Sequence, residues 1–130
     1  MQGVIRVPLA PVRFEPSDRA EMVTQALFGE LLDLELVEGQ PNWAKVHLHF
    51  DGYQGFIDPK LVDTSEEAVE AFESDCLQLT TPLTAFEWAE RTLYLPAGSR
   101  IPHAAFPDHD PAPLSDVLAA AMQFLGAPYL

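Results

Sequence analysis

Short runs of alternating apolar and polar residues, separated by turn-forming residues, occupy the sequence from about residue 4 to about residue 62. In NWAKVHLHF, one face of an extended strand would carry Ala44, Val46, Leu48 and Phe50, and the other Trp43, Lys45, His47 and His49. Similar runs stand at EMVTQALF, GELLDLELVEG and YQGFID. About five short strands cannot bury the two layers of a sandwich, so the pattern predicts a small closed barrel.

The first run, VIRVPLAPVRF, is interrupted by Pro8 and Pro11. Proline has no backbone N–H and therefore removes a hydrogen bond from a central strand ladder. We predict that this stretch forms an edge strand or an irregular strand.

Residues 64–74, TSEEAVEAFES, have the pattern of a short helix. Thr64 or Ser65 can accept a hydrogen bond at its amino end, and acidic residues in the first turn suit the helix dipole. We expect a spacer helix that lies on the barrel and uses an apolar stripe of Ala68, Ala71 and Phe72.

Residues 76–102, CLQLTTPLTAFEWAERTLYLPAGSRIP, favour strands again, with PAGS as a turn. This second β segment is too short to close a barrel by itself. A proline-rich linker follows it. The chain then has a helical repeat of apolar residues over about 114–125, which is ended by Gly126 and Pro128. Its apolar face is formed by Leu114, Val117, Leu118, Ala121, Phe124 and Leu125.

The predicted fold class is therefore mainly β, with a small barrel, a second partial β segment and a C-terminal helix. The predicted units are a barrel at 1–63, a spacer helix at 64–75, a partial β segment with linker at 76–110, and the helical unit at 111–130.

Acidic residues dominate the charge of this chain, with 20 Asp and Glu against 7 Lys and Arg. Such a surface repels phosphate groups, so neither nucleic acid nor an anionic membrane is an expected partner. No apolar run approaches the length needed to span a bilayer. The amino end does not have the pattern of a signal peptide, so we expect a cytoplasmic protein, or a periplasmic or secreted one if the amino end has been trimmed.

Cys76 and the histidine pair are the residues that could suggest chemistry of their own. An acidic run precedes Cys76 and would raise the pKa of its thiol, so we predict an inert, buried thiol. His47 and His49 share one strand face, but a third metal ligand would have to come from elsewhere. We therefore predict no catalytic residue, no metal site and no cofactor in this chain.

The segments PVRFEPSDRAEMV, LFGELLDL and NWAKVHLHFDGYQGFID resemble a bacterial SH3-like domain. That family has an Arg-x-x-Pro-Ser turn, a glycine turn before a strand, a Trp-x-Lys-Val strand and a closing glycine before an aromatic residue. The matching positions are Arg13, Pro16, Ser17, Gly29, Trp43, Lys45, Val46, Gly55 and Phe56. Phe56 replaces the commoner tryptophan.

The whole chain is similar to the amino-terminal part of NlpC-type cysteine peptidases, which cut γ-D-glutamyl–diamino acid bonds in cell-wall peptides. LYLPAGSRIP resembles their second SH3-like segment, and AMQFLGAPYL resembles the first helix of their papain-like domain. In that family a Trp-Gly-Gly motif and an Asp-Cys-Ser-Gly nucleophile motif come next, and neither occurs in these 130 residues. The resemblance implies a non-catalytic targeting or substrate-selecting portion of such an enzyme, so we expect no peptidase activity from this chain.

In this family the SH3-like domain can narrow the catalytic groove and favour short murein peptides with a free amino-terminal alanine. A carboxylate with an aromatic or hydroxyl partner would bind that amine. Glu15 in RFEPSD and Tyr53 in DGYQGF are the candidates, and Trp43 is predicted to flank a groove as a third substrate-binding residue.

The alternative is a free-standing SH3-like module that binds murein peptide or a protein partner. Further expected partners are a papain-like catalytic domain or chain, and a second copy of this chain through the 114–125 helix.

Overall fold

The computed structural model describes residues 1–105. Within this range the chain forms eleven strands, one α-helix and two short 3-10 turns. The strands are β1 (Gln2–Ile5), β2 (Leu9–Arg13), β3 (Met22–Leu27), β4 (Leu31–Leu36), β5 (Ala44–Leu48), β6 (Gln54–Ile57), β7 (Val62–Asp63), β8 (Cys76–Gln78), β9 (Leu83–Trp88), β10 (Arg91–Pro96) and β11 (Arg100–Pro102). The helix, α1, spans Glu66–Glu73, and the 3-10 turns span Pro59–Leu61 and His103–Ala105. The predicted mainly β fold is confirmed, whereas the helix predicted at 114–125 lies outside the described residues.

The first seven strands form one curled antiparallel sheet in the order β3-β2-β6-β5-β4-β1-β7. Strands β3 and β7 are its two edges and are not paired with each other in the described range, so the sheet is an open, curled half-barrel instead of the closed barrel predicted. Alternate side chains fill its concave face because successive residues of a strand point to opposite sides. The buried core comprises Ile5, Ala10, Val12, Ala26, Leu32, Leu34, Ala44, Val46, Leu48, Ile57 and Val62.

The stretch with two prolines is irregular, as one of the two predicted alternatives has it, but it is not at an edge. It divides at Pro8 into β1 and β2, and both strands lie inside the sheet. Pro11 lies opposite Gln25 of β3, whereas pairing of β2 with β6 is at Arg13. The register of β2 against β3 shifts between Val12 and Arg13, which is the predicted irregularity. The edge alternative was wrong because Pro11 precedes the β2–β6 pairing, so its missing N–H leaves no gap there.

The short helix α1 begins as the sequence predicts, but Val69 is buried in addition to the predicted stripe and Ala71 is only partly buried. The Ser65 hydroxyl accepts a hydrogen bond from Ala68 N at 3.4 Å. The Asp63 carboxylate in turn accepts hydrogen bonds from Ser65 N at 2.9 Å and Ser65 Oγ at 2.7 Å. These contacts fix the amino end of a helix that buries Ala68, Val69 and Phe72.

The helix and the second β segment share an apolar core with the half-barrel. Strands β9 and β10 form a hairpin, and β8 pairs with β11. At the centre is Phe28, whose ring packs edge-on against Phe72 and Phe86 at centroid distances of 5.5 and 5.8 Å. This core also contains Val4, Ala68, Leu77, Leu93, Leu95 and Ile101.

Gly29 joins the half-barrel to the second β segment by a close backbone approach. Its φ is +84°, and a Cβ at this position would stand 2.1 Å from Arg100 O. Arg100 N donates a hydrogen bond to Phe28 O at 2.9 Å. The backbones of the two parts are therefore in direct contact. The predicted unit boundaries at 63, 75 and 110 stay predictions. The one helix of residues 1–105, α1, is too short to cross a membrane.

Candidate functional site

The two residues predicted to bind an amine lie at the same end of the curled sheet. Arg13 of β2 is directly opposite Phe56 of β6, and these strands are antiparallel. The residues that follow Arg13, up to Glu15, therefore lie beyond the same end of the strands as the residues that precede Phe56. Tyr53 is one of the latter. Glu15 is exposed, and Tyr53 is 50% exposed.

Backbone hydrogen bonds hold the loop that carries Glu15. Phe14 N donates to Glu21 O at 2.8 Å, and Ser17 N donates to Glu15 O at 2.8 Å. The Arg13 guanidinium donates from Nη1 to Ala20 O at 3.1 Å. The backbone of Glu15 is fixed by these contacts, while its carboxylate extends into solvent.

The turn between β5 and β6 carries Tyr53. Leu48 N donates to Tyr53 O at 2.9 Å and Gly52 N donates to Leu48 O at 3.0 Å, which closes the turn. Tyr53 N donates to the Asp51 carboxylate at 3.1 Å. Phe50 also lies in this turn and is 76% exposed, because β5 ends at Leu48. The predicted placement of Phe50 on the inward face was therefore wrong.

Gly55 allows the two strands under this end of the sheet to approach closely. A Cβ at Gly55 would stand 2.6 Å from Arg13 O and 2.6 Å from Val12 Cγ1. Any side chain here would push β6 away from β2. The loop of Glu15 and the turn of Tyr53 would then separate.

Trp43 lies at the opposite end of the sheet from these residues. It immediately precedes β5, and its neighbour Ala44 is opposite Ile57, the last residue of β6. Tyr53 instead precedes the first residue of β6, so about 16 Å of strand separates the two aromatic residues. Trp43 is half-buried, and its backbone is bonded within the β4–β5 turn to Val37 and Gln40. The structure does not bring the three predicted residues together.

A groove of about 290 Å³ lies on the convex face of β4, β5 and β6. Asp33, His47 and Gln54 form one row across these three strands, since each is opposite the next. Glu35 and Lys45 form a second row beside it. The remaining lining residues are Met1, Leu34 and Val46.

His47 and His49 have different surroundings. His49 Nε2 lies 3.0 Å from Asp33 Oδ2, whereas His47 lines the groove. Among residues 1–105, no three His, Cys, Asp or Glu side chains converge in a way that could hold a metal ion.

Cys76 is half-buried beside α1, and its thiol donates to Phe72 O at 3.5 Å. Burial is the main cause that raises the pKa of this thiol, and Asp75 raises it further against the opposing effect of Arg100. The predicted direction of the pKa shift is confirmed. Burial, more than the acidic run, produces it.

The sequence contains the signal for the groove, but the groove was not predicted from it. Alternation places Asp33 and Glu35 on one face of β4, and Lys45 and His47 on one face of β5. The strand register that sets Asp33 opposite His47, and His47 opposite Gln54, depends on long-range pairing. That pairing could not be read from the alternation alone.

Comparisons with known proteins agree with the fold described above. Residues 12–60 match the family model of the bacterial dipeptidyl-peptidase Sh3 domain. No curated protein matches the chain. A solved NlpC/P60 family protein from Bacillus cereus ATCC 10987 is similar, with a TM-score of 0.64 and 17% sequence identity over 78% of this chain.

The similar region spans 47% of that protein's length. The two matches confirm the resemblance predicted from the sequence, which was to an SH3-like region of NlpC-type proteins. Residues 12–60 are therefore similar to a bacterial SH3 domain, within a fold that the chain shares with a solved NlpC/P60 family protein.

Proposed function

We propose that this chain is the non-catalytic, substrate-selecting portion of a cysteine peptidase that cleaves γ-D-glutamyl–diamino acid bonds in murein peptides. In this proposal the Glu15 carboxylate binds the free amino terminus of the peptide, and the Tyr53 ring and hydroxyl form the wall beside it. The observation that carries the proposal is the shared position of Glu15 and Tyr53 at one end of the bacterial SH3 domain.

The chemistry of this end of the sheet suits a short peptide with a free amine. A carboxylate that accepts a hydrogen bond from an ammonium group makes a charge-assisted contact, which is stronger than a neutral one. The exposed ring of Phe14, next to Glu15, adds an apolar surface that lowers the local dielectric. The acidic net charge of the chain also attracts a cationic group.

A titration followed by backbone amide resonances tests this proposal. The probe is the tripeptide L-Ala-γ-D-Glu-L-Lys, and the variants are Glu15→Gln and Tyr53→Phe. We expect Glu15→Gln to weaken binding about tenfold or more, and Tyr53→Phe to weaken it about fivefold, because a charged hydrogen bond contributes more than a neutral one.

The matched controls are Glu38→Gln and Tyr94→Phe, which change the same residue types at exposed positions elsewhere. Neither control should alter the affinity. A tripeptide that binds wild type and both site variants equally would contradict the proposal.

A second candidate is a free-standing module that binds a protein partner. The exposed rings of Phe14 and Phe50, which are 66% and 76% exposed at the same end of the sheet, favour it. Absence of tripeptide binding, together with self-association that Phe50→Ser abolishes, would support this candidate over the first.

A further inference from the structure

The groove on the convex face of the sheet contains every kind of hydrogen-bonding group. The carboxylates of Asp33 and Glu35 accept only, the Lys45 ammonium donates only, and the Gln54 amide does both. Because β4, β5 and β6 are paired in register, these groups stand on a rigid sheet surface and not on loops. The groove is therefore a preformed surface on which polar groups stand beside apolar ones.

This groove carries groups of both charge signs side by side. Glu35 is directly opposite Lys45, and Asp33 lies 3.0 Å from His49. An anionic ligand would meet the two carboxylates, and a cationic ligand would meet Lys45. A hydroxyl group can both donate and accept, so it can pair with a carboxylate, an ammonium group or an amide in turn.

We propose that this groove binds a neutral, polyhydroxylated ligand of the size of one or two sugar rings, held by Asp33, His47 and Gln54. The volume of about 290 Å³ is at the lower end of the range for small-ligand sites, which fits a small ligand better than a long polymer. The exposed Met1 side chain forms an apolar wall against which the C–H face of a sugar can lie.

The groove is separate from the residues of the proposed peptide site. Glu15, Tyr53 and Trp43 do not line the groove. A sugar site here would exist whether or not the other end of the sheet binds a peptide amine.

The test is a titration of the full chain with three disaccharides that differ in charge, followed by backbone amide resonances. The probes are the neutral disaccharide of N-acetylglucosamine, the cationic disaccharide of glucosamine and the anionic disaccharide of galacturonic acid. We expect saturable shifts in the millimolar range for the neutral probe, centred on Asp33, His47 and Gln54, and weaker binding of both charged probes.

Gln54→Ala should weaken binding of the neutral probe about fivefold, since one neutral hydrogen bond is lost. The matched control, Gln40→Ala in the exposed β4–β5 turn, should leave the affinity unchanged. His47→Ala is a second variant, and amide spectra of each variant verify its fold.

Three results would overturn the proposal. They are no saturation with the neutral probe, shifts centred on another surface, and an unchanged affinity in both Gln54→Ala and His47→Ala. Tighter binding of either charged disaccharide would also refute the assignment of a neutral ligand.

Discussion

Arg13 of β2 lies directly opposite Phe56 of β6, and this pairing sets the arrangement of one end of the curled sheet. Because the strands are antiparallel, the loop after Arg13 and the turn before β6 extend past the same end of the sheet. That arrangement brings Glu15 and Tyr53 to the same end of the sheet, and the proposed selection of peptides by their free amine depends on it.

Gly55 is the position where this arrangement is most sensitive to substitution. Gly55→Ala would place a Cβ 2.6 Å from Arg13 O and from Val12 Cγ1. We expect a loss of about 1–3 kcal/mol in the free energy of unfolding, as for other overpacked core positions. Urea unfolding measures it, with Gln54→Ala as the neighbouring surface control. A Gly55→Ala variant as stable as wild type would show that β2 and β6 can separate without penalty.

Trp43 should be dispensable for binding of the tripeptide. It is half-buried and about 16 Å along the strands from Tyr53, farther than a tripeptide bound at Glu15 extends. We expect Trp43→Ala to keep the affinity within about twofold of wild type. We also expect it to lose less than the roughly 3–5 kcal/mol typical of a core tryptophan. A folded variant that no longer binds the tripeptide would show that Trp43 takes part in binding.

Asp63 should make the stability of the chain depend on pH through the amino end of α1. Burial opposes ionisation of Asp63, but the hydrogen bonds from Ser65 and the nearby Arg6 outweigh it and lower the pKa of the carboxyl. A carboxyl whose pKa is lower in the folded state stabilises the fold above its unfolded pKa, near 4, and loses that contribution as the pH falls through its folded pKa.

We therefore expect Asp63→Asn to be less stable than wild type from pH 7 to about pH 5, with a difference that shrinks below about pH 4. Urea unfolding at a series of pH values measures the difference. A Ser65→Ala variant, which loses the helix cap, should cost about 1 kcal/mol at neutral pH. A difference for Asp63→Asn that grows on acidification would contradict the assigned direction of the pKa shift.

Cys76 should react slowly with thiol reagents. Burial raises the pKa of its thiol, so less thiolate is present at neutral pH than for an exposed cysteine. We expect alkylation by iodoacetamide at pH 7.5 to be slower than that of glutathione under the same conditions. Faster alkylation of Cys76 would indicate an activated thiol and reopen a chemical role for it.

The sequence predicted the local structure of this chain better than its long-range arrangement. Alternation correctly assigned Ala44, Val46 and Leu48 to the buried face of β5. The capping pattern offered Thr64 or Ser65 as the start of α1, and Ser65 is the residue that caps it. These features depend on neighbouring residues only.

The features that were missed depend on which strands pair and where they end. Pro11 was expected in an edge strand or an irregular strand, of which only the irregular strand is observed, and Phe50 was expected to point inward. β2 lies inside the sheet because it pairs with both β3 and β6, and Phe50 is exposed because β5 ends at Leu48. Trp43 was predicted to bind substrate together with Tyr53. The register of β5 and β6 instead sets Trp43 at the other end of the sheet.

The pairing of the Glu15 carboxylate with a peptide amine can be measured by a cycle of two changes, which tests the central claim most directly. Wild type and Glu15→Gln are each titrated with the free tripeptide and with its N-acetylated form. We predict that acetylation weakens binding to wild type about tenfold or more, and that Glu15→Gln removes most of this difference, because each change deletes the same charged hydrogen bond. Acetylation that weakens binding to wild type and to Glu15→Gln by the same factor would contradict the account.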